Sequence, residues 1–258
     1  MRREADGKVY GHDSDTKLLL LLARSQLSDE VWTRMERAVA NVPDLELGDI
    51  GGDDQLNRGA QGMDLRTRGG GKTNWAMHQM EVALANRLSG RGEDEWLVVD
   101  GSLQFEPPIT APRTLGIAKS FNKELHFELR ADGPREKKSL FRLLMDLRPE
   151  CRTAVWAARG GKIAFWYVRL RAQGKLDYPL MGVVKVEHRP PEGEALDSAL
   201  VDLLSSCLVA ERHVTPHGRD SRWHVHLYPI YLTEQVIKNK MVSSEVLRHS
   251  IRWPFQTA

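Results

Sequence analysis

Five short runs of branched and aromatic residues share the chain beyond residue 95 with two amphipathic helices. That mixture restricts the chain to an α/β fold built on a mixed sheet. The runs cover residues 97–100, 115–118, 154–157, 163–170 and 180–187, and their composition suits strands. Residues 135–147 carry Leu140, Leu143, Leu144 and Leu147, and residues 195–210 carry Leu196, Leu200, Leu203 and Leu204, so each segment has an apolar helical face. Arg159-Gly160-Gly161-Lys162 reads as a hairpin turn between two of the strands. A last short strand at 223–227 leads into a helix starting near Leu232.

The segment before residue 95 reads as a helical N-terminal extension. Asp13-Ser14-Asp15-Thr16 forms a cap region ahead of the leucine run 18–22, which reads as a buried helix. Ser28-Asp29-Glu30 opens a second helix bearing Val31, Met35 and Val39, with two acids at its positive end, and the two helices are expected to form a hairpin. From Pro43 to Gly71 the chain is rich in Gly, Asp, Asn and Arg without any period, the pattern of an exposed loop. Helix returns over 73–88, where Met77, Met80, Leu84 and Leu88 recur and Gly90 lies just beyond the end. The expected organisation is an extension over 1–94, with a flexible loop at about 43–72, and a core over 95–258.

Composition removes several classes of function. With 258 residues and 41% hydrophobic content the chain can bury a sizeable core. A formal net charge of +2 neither signals nor excludes nucleic acid, because a weak total can hide a local basic groove. Cys151 and Cys207 are too few for a disulfide framework, which favours a reducing, cytoplasmic setting. The leucine run, bounded by Lys17 and Arg24, is far short of the roughly 20 residues that span a membrane. It is not followed by a small-residue cleavage site, so it does not read as a secretory signal.

Gly69-Gly70-Gly71-Lys72-Thr73 has the look of a phosphate-binding loop, but Arg66 stands where that pattern needs its first glycine and no hydrophobic strand precedes it. The plainer reading is a loop with Arg66, Arg68 and Lys72 available to phosphate backbones. His213, His217, His224 and His226 with Cys207 raise zinc, yet Pro216 breaks the helix that His213 and His217 would share. The carboxylates carry more. Leu97-Val98-Val99-Asp100 is an apolar strand ending in an acid and followed by Gly101, a good position for a divalent cation. Val183-Val184-Lys185-Val186-Glu187 is a second such strand, and adjacency of the two would place both acids at one edge of the sheet to share one or two ions. Lys119, at the end of the strand 115–118, is placed to neutralise a phosphate or the charge that develops during its cleavage. Strand, acid pair and lysine together point to a metal-dependent nuclease.

Asp100-Gly101-Ser102-Leu103, then Leu115-Gly116-Ile117-Ala118-Lys119-Ser120, then the run from Ala164 to Leu170, resemble the NurA nucleases. Tyr178-Pro179, the stretch from Gly182 to Glu187, and Leu227-Tyr228-Pro229-Ile230 continue the likeness in the same order, so that it spans about residues 95 to 240. The resemblance implies an RNase H-like (PIWI-type) mixed sheet flanked by helices, a homodimer, DNA cleavage dependent on Mn2+ (or Mg2+), and partnership with a HerA-type hexameric ATPase that translocates DNA. It implies that Asp100 is the leading metal aspartate, Glu187 the acid closing the later strand, and Tyr228 the tyrosine of a Tyr-Pro motif. Two departures stand out: Glu187 where the family often has aspartate, and Val236 in the helix where the family has histidine. Glu234 is the acid placed to complete the site in its stead, while Glu128 and Asp146 are candidates for a further family glutamate.

The expected function is a metal-dependent deoxyribonuclease acting with its ATPase in DNA end processing or antiviral defence. Asp100, Glu187 and Glu234 would hold the ion, with Lys119 on the phosphate. The competing expectation is a catalytically degenerate subunit that keeps the fold and docks an ATPase ring or grips DNA without cutting it. A guide-dependent PIWI-like protein is a third reading, for which the sequence offers no 5' phosphate pocket.

Overall fold

The computed structural model describes residues 2–3, 9–10, 17–51, 64–88, 92, 95–121, 126–129, 136–175, 177–194, 196–212 and 227–240, with backbone alone for 2–3, 9–10, 126–129, 136–138 and 240. The chain divides into two compact units, one comprising Met1–Gly11, Arg91–Glu106 and Thr110–Ala258, the other His12–Gly90 with Pro107–Ile109.

The unit built on His12–Gly90 is not all helical. Its leucine run is a strand, β3 (Leu18–Leu22), paired in parallel with β4 (Leu45–Asp49), and α1 (Asp29–Ala40) connects them. This corrects the expected helical hairpin. Five consecutive leucines have no period to separate helix from strand, and a continuous apolar run of five is the length and pattern of a parallel strand. The start of α1 is as read: the Ser28 hydroxyl accepts from the Val31 N–H at 3.3 Å, Asp29 and Glu30 fill the first turn, and Trp32 and Val39 turn inward.

The loop expected over 43–72 is likewise replaced, at its start by β4 and at its end by α2 (Leu65–Arg87), while 52–63 lie outside the described residues. Asp64 caps α2, accepting from the Thr67 N–H at 2.8 Å, so Gly69, Gly70 and Gly71 lie within the helix. Each glycine costs about 1 kcal/mol relative to alanine. The capped first turn before them and the long run after them bear that cost.

The other unit carries a five-stranded mixed sheet in the order β5 (Leu97–Asp100), β6 (Thr114–Ala118), β11 (Val183–His188), β10 (Ile163–Arg169), β9 (Trp156–Ala158). β5 runs parallel to β6, and the remaining neighbours are antiparallel. Two short antiparallel pairs accompany it, β1 (Arg2–Arg3) with β2 (Val9–Tyr10) and β7 (His126–Leu129) with β8 (Glu136–Ser139). β9 and β10 join through Arg159–Gly161, where Gly160 and Gly161 have φ of 67° and 92°. That is the hairpin turn read from the sequence.

Every residue of β10 is buried, because helices cover both faces of the sheet. On one face Leu115, Ile117, Trp166, Val168, Val184 and Val186 pack with Val201, Leu204 and Leu208 of α4 (Ser198–Ala210), and with Leu227 and with Ile230 of α5 (Tyr228–Lys240). The Trp166 indole N–H donates to the Ser205 hydroxyl at 3.0 Å, which satisfies its one polar atom. On the other face Phe165, Tyr167 and Val183 pack with Leu180 and with Leu140 and Leu144 of α3 (Leu140–Met145).

α3 is shorter than the helix expected over 135–147. Glu136-Lys137-Lys138 offers no apolar face, and Ser139 caps the helix by accepting from the Arg142 N–H. Leu227 is bridged to Arg212, while the rest of the strand expected at 223–227 lies outside the described residues. The architecture is α/β, a mixed sheet with helices on both faces.

Candidate acidic site at the rim of the sheet

Register decides which acids meet. Asp100 lies opposite Ile117 across the β5–β6 ladder, and Ile117 lies opposite Val186 across the β6–β11 ladder. Glu187 lies opposite Gly116. Since successive side chains alternate between faces, Asp100 projects on the face of Ile117 and Val186, and Glu187 on the other. β6 also separates the two acid-bearing strands. The expectation that Asp100 and Glu187 share an ion is therefore corrected: they end separate strands on opposite faces of one sheet.

A different pair does converge. Lys119, one residue past β6, returns to the face of Asp100, and its ammonium lies 2.9 Å from Asp100 Oδ2 and 3.8 Å from Glu234 Oε1. Glu234 belongs to α5, which Ile230 anchors in the core of that same face. The lysine side chain is 4% exposed and the carboxylates 39% and 32%, so a buried cation sits between two acids that solvent reaches. Lys238, a turn further along α5, lies 3.6 Å from the other oxygen of Glu234. Tyr228 opens α5, its N–H donating to the Glu211 carbonyl at 2.7 Å, and its exposed ring stacks on Tyr231 with centroids 6.4 Å apart. Val236 is half-buried on the same helix.

Glu187 is fully buried and takes four donors. The Ser102 hydroxyl and the Leu103 N–H reach Oε2 at 2.7 Å each, while the Gln104 amide and the Lys185 ammonium reach Oε1 at 2.5 and 2.6 Å. Burial works against its charge, but the hydrogen bonds from Lys185, Ser102 and Gln104 and the charge of Lys185 prevail and hold its pKa below the ordinary value. Beside it the Tyr167 phenol is buried with no hydrogen-bond partner among the described residues, and burial together with the Glu187 charge pushes its pKa well up. Lys185 was legible as a partner, two residues along the same strand and hence on the same face. The donors at 102–104 were not, because nothing in the sequence places that segment under β11.

Glu128 sits in β7 opposite Lys137, and Asp146 is the exposed C-cap of α3. His213, His217, His224 and His226 lie outside the described residues, and Cys207 is exposed on α4. The glycine triplet, being helical, does not form the phosphate-cradling turn that precedes a helix. Among the described residues no group of three or more His, Cys, Asp or Glu is gathered to hold a metal, and no helix is long and apolar enough to cross a membrane. Comparison with known protein families and with curated proteins found no match for the chain.

Proposed function

We propose that the chain is a metal-dependent deoxyribonuclease whose ion-binding carboxylates are Asp100 and Glu234, with Lys119 between them. The supporting observation is that one lysine ammonium, a stand-in for a cation, lies within ion-pairing reach of both acids on one face of the sheet. Two carboxylates are an adequate protein contribution for Mg2+ or Mn2+, which commonly keep several waters and complete their shell with substrate phosphate oxygens. Bound there, the ion would supply charge neutralisation and water activation beside the scissile phosphate.

The residues' own parts follow from chemistry. Asp100 and Glu234 hold the ion. Lys119, relieved of its place between them, turns its ammonium to a non-bridging phosphate oxygen and offsets the charge that grows there. A water oxygen bonds to phosphorus and gives up a proton to solvent, the ester P–O bond breaks, and the leaving oxygen takes up a proton from solvent, so that one water is added across the broken bond. DNA as substrate, an RNase H-like (PIWI-type) core, a homodimer, a HerA-type ATPase as partner, and a role in end processing or antiviral defence enter this reading from the resemblance alone, and a cytoplasmic setting enters it from the cysteine count.

A second reading is favoured by the lysine itself: Lys119 already neutralises the acid pair, and Glu187 is spent on the opposite face. On that reading the chain docks an ATPase ring or holds DNA without cutting it. The deciding experiment incubates the purified chain with linear and circular DNA, in Mn2+ or EDTA, with and without a candidate ATPase. Loss of DNA only with Mn2+, abolished by both Asp100→Asn and Glu234→Gln, supports the nuclease. Intact DNA under all conditions selects the docking subunit, and normal cutting by Asp100→Asn sinks the site assignment.

A further inference from the structure

We infer that Glu187 is a positioning residue for the Asp100 carboxylate, acting through residues 101–104 from the opposite face of the sheet; this rests on the nuclease reading for its purpose. Three of the four donors to Glu187 come from the residues that directly follow Asp100: the Ser102 hydroxyl, the Leu103 N–H and the Gln104 side-chain amide. The Gln104 N–H in turn donates to the Ser102 hydroxyl at 3.2 Å, so that oxygen joins segment and carboxylate in one chain of hydrogen bonds.

The segment is held by its backbone as well. Gly101, at φ 148°, turns the chain off the strand while its N–H donates to the Ile117 carbonyl at 3.0 Å. Opposite Glu187 stands Gly116, where an added Cβ would meet Leu103 Cγ at 2.7 Å and the Gly101 carbonyl oxygen at 2.8 Å. Arg189 reaches the Leu103 carbonyl at 3.4 Å. The segment is therefore pressed onto β6 and tied to β11, leaving little freedom to the residue before it.

A fully buried carboxylate is a costly way to gain stability, since an apolar side chain would fill the same space without desolvating a charge. Its donors give it another use. Asp100 ends a four-residue edge strand and is 39% exposed, a position where a carboxylate is readily misdirected. Anchoring Ser102, Leu103 and Gln104 to Glu187, with the Gly101 N–H held by the Ile117 carbonyl, fixes the direction in which Asp100 leaves the strand, much as outer partners orient the ligands of metal sites. Lys185, ion-paired to Glu187 and seated over the Phe165 ring at 4.5 Å, balances the anchor's charge.

The test compares wild type with Ser102→Ala, Ser102→Thr and Glu187→Gln. Three quantities are read: Mn2+ affinity by calorimetry, the Asp100 carboxyl 13C resonance in metal-free protein, and the thermal midpoint. Ser102→Ala is expected to weaken Mn2+ binding about tenfold and to move the Asp100 resonance. Ser102→Thr, which keeps the hydroxyl, restores both, and Glu187→Gln moves the resonance where it folds. An unmoved Asp100 resonance in Ser102→Ala overturns the inference, whatever happens to stability. Should wild type bind no Mn2+, the nuclease reading fails by itself, and the metal-free resonance still decides whether Glu187 positions Asp100.

Discussion

Asp100 and Glu187 leave one sheet from opposite faces, because the first is in register with Ile117 and the second with Gly116, its neighbour in β6. A shift of one residue in either ladder would have put them on the same side. The consequence is a division of labour. On one face Asp100 meets Lys119 and Glu234, which solvent reaches, while on the other Glu187 is shut away and holds the chain that follows Asp100.

Lys119 competes with any ion for the space between Asp100 and Glu234, and this sets the first prediction. Replacing it by methionine removes the ammonium from between the two acids and leaves Lys238 on the other oxygen of Glu234. Mn2+ affinity, measured by calorimetry, should rise about tenfold, an estimate that follows from removing one unit charge at close range in a partly solvated site. On the nuclease reading cleavage should fall, because the group proposed to meet the phosphate is gone. Weaker Mn2+ binding in Lys119→Met would show that the ion does not enter between these carboxylates.

The strands of the sheet were legible wherever the residues themselves carry the signal. All five appear within a few residues of their expected places, since β-branched and aromatic runs bounded by turns admit few other readings. The leucine run was not legible, because five identical residues have no period. Nor was α2, whose three glycines argue locally for a loop while the Asp64 cap and the residues after them argue for helix. In the candidate site Asp100 and Lys119 could each be read as strand-end residues, and the β5–β6 pairing seen in the structure brings them into an ion pair. The separation of Asp100 from Glu187 could not, because it depends on strand order and on a one-residue register that no local pattern encodes.

Arg169 presents a prediction about stability alone. It is 2% exposed, and its guanidinium donates to the carbonyls of Leu144, Leu147, Pro179 and Met181 at 2.6 to 3.3 Å. The fork ties the end of α3 to the turn before β11, and the C-terminal carbonyls of a helix suit a cation. Arg169→Leu should cost about 3 to 5 kcal/mol in urea unfolding, as one buried and three partly buried acceptors lose their donor at once. Arg169→Lys, which keeps the charge but loses the fork, should recover only part of it.

Acid should destabilise the chain in two stages. The His188 pKa is lowered from 6.5 chiefly by burial, against the hydrogen bond between its Nδ1 and the Thr114 carbonyl at 2.9 Å. The unfolded chain therefore binds a proton below 6.5 that the folded chain resists, and stability declines as pH falls from there. Glu187, lowered from 4.5, adds stability that is complete above that value and is lost as pH falls through its folded pKa. Each stage is bounded by about 1.4 kcal/mol per pH unit. Urea midpoints should decline below pH 6.5 and again below 4.5, with His188→Gln flattening the first stage. A wild-type midpoint that stays level from pH 7 to about 5 would contradict the buried neutral imidazole.

Two glycine substitutions should differ sharply. At Gly116 a methyl meets Leu103 Cγ at 2.7 Å and the Gly101 carbonyl oxygen at 2.8 Å, so backbone must move. At Gly48 it meets Leu21 Cδ2 at 2.8 Å, the far end of a side chain that can rotate away. Gly116→Ala should cost about 2 kcal/mol or more, and Gly48→Ala less than about 1 kcal/mol. Equal costs in denaturant titrations would mean that residues 101–103 are not pressed onto β6.

Gly70 and Gly71 should behave in the opposite way, and their substitution also settles what the glycine triplet is for. Both lie inside α2 with no positive φ, and an added Cβ at either meets nothing among the described residues within 4 Å. Neither backbone conformation nor packing among the described residues requires glycine there. Alanine should stabilise the protein by about 0.5 to 1 kcal/mol at each position, through helix propensity and a less disordered unfolded chain. Were the triplet instead a phosphate cradle, methyl groups would obstruct the approach of the anion to the backbone, and nucleotide binding would be lost with no such gain. Thermal midpoints of the two variants, read with and without ATP, separate these outcomes: a higher midpoint independent of ATP is the helical result, and a lower one means that the glycines serve a conformation other than helix.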